Sequence, residues 1–239
     1  MTATRPDAGF TLVEVLLAVL LAGLVMVGSY SVASQVMRLS EEAGTRLEVE
    51  STQAILRLAL ANDLGSVIYV EGARTKSAEA MTFLGGLSAA DVSGQTDRRL
   101  LALASAASLD PGQPFPSHGF NRIEYVLRVQ EPSQGEPGRT SLVRRERIAA
   151  TVPRRPGQEE PVNETVLCPR IEDAAVTFYG PAASGPFTDW DSPTRERDRL
   201  PPLPAQVRLT ASLVVAGRRF PVDVRVNLPA RAIEAVGRS

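Results

Sequence analysis

From Phe10 to Tyr30 the chain runs 21 residues with a single charge, Glu14, and no proline. At about 1.5 Å per residue, a helix of that length spans roughly 30 Å, the thickness of a bilayer's hydrocarbon core. The run predicts a membrane-crossing helix over residues 10–30, apolar on every side. Good helix formers continue from Ser31 to Leu64, again without proline. Val32, Val36, Leu39, Ala43, Leu47, Ile55, Leu58 and Leu64 fall close to helical spacing, and Arg38, Glu41, Glu42, Arg46, Glu48, Glu50 and Arg57 occupy other faces. One helix from Phe10 to about Asp63 is therefore expected, its second half amphipathic and packed by that stripe on the domain that follows. Apolar surface left over around Leu47, Ile55 and Leu58 is expected to face partner helices. Gly44 weakens this helix by about 1 kcal/mol against alanine.

Beyond Gly65 the period becomes two. Ile123, Tyr125, Leu127 and Val129 alternate with Arg122, Glu124 and Arg128, and the segment Ser141 to Ala149 follows a Pro/Gly-rich loop from Glu131 to Arg139. Val207, Leu209, Ala211 and Leu213 alternate with Arg208, Thr210 and Ser212; after Ala216-Gly217, so do Phe220, Val222, Val224, Val226 and Leu228 with Asp223, Arg225 and Asn227. Each pair reads as a hairpin. Weaker strands are expected at Met81–Leu84, Leu100–Ala104 and Val176–Tyr179. Half-polar alternation predicts antiparallel sheet with one wet face, so the fold class is α+β. Two long segments, Pro153 to Glu164 and Gly180 to Pro204, read as loops. The expected organisation is a leader over residues 1–9, the membrane helix over 10–30, its amphipathic extension over 31–64, a β-rich domain over 65–229 and a tail over 230–239.

Composition narrows the chemistry. The net charge of −1 gives no footprint for nucleic acid. Cys168 is the single cysteine, so no internal disulfide framework exists; a buried small hydrophobe is the expected role, with an intermolecular bridge as the competing one. His118 is the single histidine and sits in no motif, so no catalytic site, no His/Cys metal spacing and no cofactor-binding loop is read. The acidic loop around Trp190 (Asp189, Asp191, Glu196, Asp198) reads as solvated. Calcium held by oxygen ligands is its alternative, which lacks the loop glycine and has Pro193 in the way.

Glu14 is the residue that needs explaining. A carboxylate near the bilayer centre costs on the order of 3 kcal/mol, but Glu14 lies only about 6 Å along the helix from Phe10, near one end of the span. A cut before Phe10 would expose an α-amino group, and between staggered neighbouring helices that amine and Glu14 pair well. A plain single-pass anchor is one competing reading. An ordinary secretory signal cut after Ser31-Val32-Ala33 is another, opposed by the length of the run and by Glu14.

The stretch Gly9-Phe10-Thr11-Leu12-Val13-Glu14 opening a hydrophobic helix resembles the class III signal of type IV pilins and pseudopilins. That resemblance implies that a prepilin peptidase cuts after Gly9 and methylates Phe10, with Glu14 as an assembly residue. The outer domain resembles the J-type minor pseudopilin of the type II secretion system. The resemblance rests on Leu56 to Leu64, on Ile123-Glu124-Tyr125-Val126-Leu127 followed by Leu142-Val143-Arg144-Arg145, on Arg170 to Ala174 before Phe178-Tyr179, on Trp190, and on Leu203 to Leu209. It implies a non-enzymatic subunit near the tip of a periplasmic pseudopilus. The protein would be anchored in the inner membrane with its N-terminus cytoplasmic, and would assemble with I-type, K-type and G-type pseudopilins. The K type lacks the acid at the Glu14 position and carries a large inserted domain; the G type is shorter. A minor pilin of a type IV pilus remains an alternative, as does a membrane-tethered periplasmic binding protein or hydrolase. A convergent polar pocket would favour the last, and an apolar face along the helix would favour assembly.

Overall fold

The computed structural model describes residues 12–69, 82–86, 97–106, 120–130, 138–148, 162–181 and 184–229. The chain divides into two compact units, Met1–Leu47 and Glu48–Ser239. Helix α1 is assigned over Leu12–Gly65. In the first unit the described residues are all helical, and their large apolar side chains are exposed.

The second unit is built from residue 48 onward. Short strand β1 (Val67–Ile68) follows the helix, then β2 (Leu84–Gly85), β3 (Asp97–Ser105), β4 (Asn121–Gln130), β5 (Arg139–Ile148), β6 (Val162–Cys168), β7 (Ile171–Tyr179) and β8 (Trp190–Asp191). A six-residue helix, α2 (Ser192–Arg197), precedes β9 (Gln206–Val215) and β10 (Arg218–Asn227). Seven strands form one sheet in the order β6-β5-β4-β3-β2-β8, with β1 against β3; three form a second, β10-β9-β7. All pairings are antiparallel, and the α+β expectation holds.

Both expected hairpins are present. Val226 faces Val207 and Arg218 faces Val215 across the β9–β10 turn; Gln130 faces Arg139 across β4–β5. The β9–β10 connection is the two-residue turn Ala216-Gly217, both residues at positive φ (49° and 74°), the primed geometry that matches strand twist. The strand expected over Leu100–Ala104 extends to nine residues, and the one expected over Val176–Tyr179 begins at Ile171. Of Met81–Leu84, Leu84 lies in a two-residue strand and Met81 lies outside the described residues, as do most of the Glu131–Arg139 loop and the 230–239 tail.

Three expectations need correction. First, Val162 to Glu164 belongs to β6, not to a loop; the rest of that segment lies outside the described residues. Second, Gly180 to Pro204 is not structureless, because it carries β8 and α2. Asp191 caps α2 by accepting from the Thr194 amide at 3.2 Å, with Pro193 in the first turn, a local start signal of the usual kind. Trp190 is buried, donates from Nε1 to the Pro202 carbonyl at 2.8 Å, and lies 3.7 Å beneath the Arg195 guanidinium. Gly85 supports this corner from below: a β-carbon there would overlap the ring of Phe178.

Third, the large sheet has no simple wet face. Val126, Val143 and Glu124 are buried on the side away from Tyr125 and Leu142. Charges there pair across strands: Arg99 with Glu124 at 2.8 Å, Arg128 with Glu164 at 2.9 Å, and Arg145 with Glu164 at 2.6 Å and with Asp97. Alternating charges of opposite sign on neighbouring strands, with long arginine stems lying over the sheet, cover apolar surface that the period-two rule assigns to water.

Candidate assembly surface

The core shows which side of α1 is used internally. Val49, Leu56, Ala59, Leu60 and Leu64 join one apolar cluster with Leu101, Ile123, Leu142, Leu209 and Val222. The stripe read from the sequence is, apart from Leu64, not this face. Leu47, Ile55 and Leu58 are 67%, 50% and 68% exposed, whereas Leu56 and Leu60 are 0% and 3% exposed. At about 100° per residue, Leu47, Ala54, Leu58 and Ala61 all point between roughly 140° and 180° away from Leu56. The helix is apolar on two opposite sides, and the outer one is exposed among the described residues.

That outer side has a pattern which the sequence reading overlooked. Leu47, Ser51, Ala54, Leu58, Ala61 and Gly65 follow one another at alternating steps of four and three residues. Continued toward the N-terminus, the same steps pass through Gly44, Ser40, Met37, Ala33, Tyr30, Met26, Gly23, Val19, Leu16 and Leu12 without meeting a charge. Eight charged residues lie between Ser31 and Gly65, and all eight avoid these positions. Every residue of the seam is exposed. A mean step of 3.5 residues is the period of helix-to-helix packing, and small residues in such a seam let backbones approach closely. An open groove of about 470 Å³ runs along it, lined by Glu50, Gln53, Ala54, Arg57, Leu58 and Ala61. The signal was available as a 3.5-residue period, but a 3.6-residue template mixes it with the inward face.

At the start of the helix, Glu14 sits in the first turn and is exposed, where an acid is favoured by the helix dipole. Gly9 and Phe10 lie outside the described residues. Among the described residues α1 is the one helix long and apolar enough to cross a membrane.

The inward side holds a second feature absent from the sequence reading. Asp63, fully buried in the last turn of α1, accepts from Arg144 Nε at 2.8 Å, from its second terminal nitrogen at 2.9 Å, and from the Tyr125 hydroxyl at 2.6 Å. Arg144 also donates to Glu146 at 2.6 Å, and Asn121 donates to the other Glu146 oxygen at 2.7 Å. Arg144 and Glu146 are as buried as Asp63. Burial alone would lower the pKa of Arg144; the hydrogen bonds and charge of Asp63, with those of Glu146, hold it above the ordinary range. Tyr125 is pushed well above its ordinary value, by burial first and then by the Asp63 carboxylate. No sequence pattern on the helix announces a partner for Asp63, because that partner is a strand residue far along the chain.

Other candidate chemistry resolves locally. Cys168 is buried in the core, donates to the Arg170 carbonyl at 3.2 Å, and has its thiol pKa raised chiefly by burial. Of the acidic loop, Asp191 is occupied as the α2 cap and Glu196 accepts from Tyr69. Among the described residues, no three His, Cys, Asp or Glu side chains are placed to hold a metal ion. His118 lies outside the described residues.

Residues 4–30 match the family model of the prokaryotic N-terminal methylation motif. No curated protein matches the chain. The motif, followed by a long apolar helix and an antiparallel β domain, supports a type IV pilin- or pseudopilin-like protein, processed by a prepilin peptidase and assembled with other pilins. The helix fits a membrane anchor.

Proposed function

We propose that this chain is a minor pseudopilin of the J type, a structural subunit at the tip of a type II secretion pseudopilus and not an enzyme. The observation that carries the assembly reading is the exposed, charge-free seam of α1 from Ser51 to Gly65 in the outer unit, in a chain whose residues 4–30 match the methylation motif. A face of that period fits a bundle of like helices.

In this reading the leader ends at Gly9, Phe10 becomes the methylated first residue, and its α-amino group meets the Glu14 carboxylate of a neighbouring subunit. That contact compensates the charge which each helix carries into the membrane, and it sets the stagger between subunits. The Leu47–Ile55–Leu58 region then meets the helices of the I-type and K-type partners, with the G-type subunit forming the shaft below. The anchor is in the inner membrane, N-terminus cytoplasmic and outer domain periplasmic. The J assignment draws its support from the short outer-domain motifs, of which Ile123, Tyr125, Leu127, Leu142 and Trp190 lie in the apolar core.

The test is co-purification of the full chain in detergent with tagged I-type and K-type subunits, beside a control with the minor pilins of a type IV pilus. Capture by the first pair and not by the second supports the assignment. The reverse result assigns the chain to the pilus.

A further inference from the structure

Asp63 breaks two local rules at once. An acid in the last turn of a helix faces the negative end of the helix dipole, and a buried charge costs several kcal/mol unless it is fully paired. Asp63 is also the one polar residue of α1 that is buried among the described residues. The three hydrogen bonds it accepts come from two adjacent strands, Tyr125 on β4 and Arg144 on β5, which stand directly opposite each other in register. The remaining contacts of this side are leucine, valine and alanine surfaces, whose attraction is non-directional, and one exposed hydrogen bond from Gln53 Nε2 to the Pro221 carbonyl at 3.2 Å. A slip of one residue moves a helix by about 1.5 Å and turns it by about 100°. Apolar packing tolerates part of such a slip; a two-pronged guanidinium–carboxylate pair does not.

We propose that the buried Asp63–Arg144–Glu146 cluster is a register lock, which fixes the axial and rotational setting of α1 on the large sheet and adds no net stability over apolar packing. The setting decides where the outer seam points. That consequence for partners rests on the assembly reading, whereas the lock itself does not.

The variant that isolates the lock removes its buried members together, Asp63→Leu, Tyr125→Phe, Arg144→Met and Glu146→Leu, and leaves the half-buried Asn121, which donates to Glu146, to solvent. Buried ion clusters replaced in this way commonly keep or gain stability. Spin labels on cysteines at Arg57 and at Thr165 on β6 of the large sheet, both exposed, in a Cys168→Ala background of the full chain in detergent, report the setting by pulsed dipolar spectroscopy. One narrow distance is expected with the lock intact. In the apolar variant, thermal stability is retained and the distribution splits or about doubles in width, as slips of one residue become populated. A stable apolar variant with the native narrow distance overturns the proposal. So does an unfolded one, since the cluster would then be a source of stability. The distances are read without partners, so a failure of the lock and a failure of the assembly reading are separate results.

Discussion

Arg144 and Asp63 stand 81 positions apart and share two hydrogen bonds, of 2.8 and 2.9 Å, in the interior of the outer domain. Removing one partner leaves the other charge buried and alone. Asp63→Asn or Arg144→Met is expected to cost about 3–5 kcal/mol, the range for broken buried pairs. Urea denaturation of each single variant measures this. A cost below about 1 kcal/mol, the worth of a surface pair, would place the cluster in contact with water.

Tyr125 supplies a pH signature. Its folded pKa is raised above that of the unfolded chain, so its contribution is complete below about pH 10 and is lost as pH rises through the folded value. Stability of the native protein should fall above that pH, and Tyr125→Phe should remove this part of the fall. The difference between the two pH profiles isolates the tyrosine. A difference that stays constant from pH 8 to 12 would contradict the burial of this hydroxyl.

Leu58 and Leu60 provide a paired test of the two helix faces. Leu60→Glu puts a charge in the core, at a cost of several kcal/mol. Leu58→Glu lies on the outer face and should change stability by no more than about 0.5 kcal/mol while abolishing co-purification with partner subunits. Circular dichroism and pull-down on both variants separate the outcomes. Equal loss of fold in both would make the outer face part of the core.

The Ala216-Gly217 turn holds a non-glycine residue at φ 49°. The left-handed conformation costs such a residue roughly 1–2 kcal/mol, and asparagine relieves part of that cost. Ala216→Asn is therefore expected to raise the thermal midpoint by a few degrees. An unchanged or lower midpoint argues for a different turn.

At the other end of the chain, mass spectrometry of the membrane form should find N-methyl-Phe10 as the first residue. Glu14→Val makes the span more apolar, so it should insert and be cleaved normally, yet fail to assemble. Loss of cleavage in that variant would move Glu14 from assembly to processing. Normal secretion by a strain carrying it alone would remove the residue from assembly altogether.

Elements whose signal is local were legible in the sequence. The apolar run with one acid near its start, the long helix, and the two hairpins with alternating positions such as Val207, Leu209, Ala211 and Leu213 follow from period and turn chemistry alone. The pleat and the helical repeat set those positions whatever they later pack against. The inward face of α1 was not legible. Both Leu58 and Leu60 are leucines on a good helix, and one-dimensional spacing ranks the two sides nearly alike. The choice between them is made by what the sheet offers to each. Arg144, Tyr125 and Glu146 arrive on neighbouring strands only after β4 and β5 have paired, and only then does burying Asp63 become favourable. Trp190 is similar: an acidic, proline-containing stretch reads as loop until Phe178, Pro202 and Arg195 enclose the indole. The sequence determined where this chain is helical, where it is extended and where it can enter a membrane. Which surfaces are interior and which are left for partners was decided by tertiary contacts, because burial of a charge or an aromatic ring is a property of the residues that surround it.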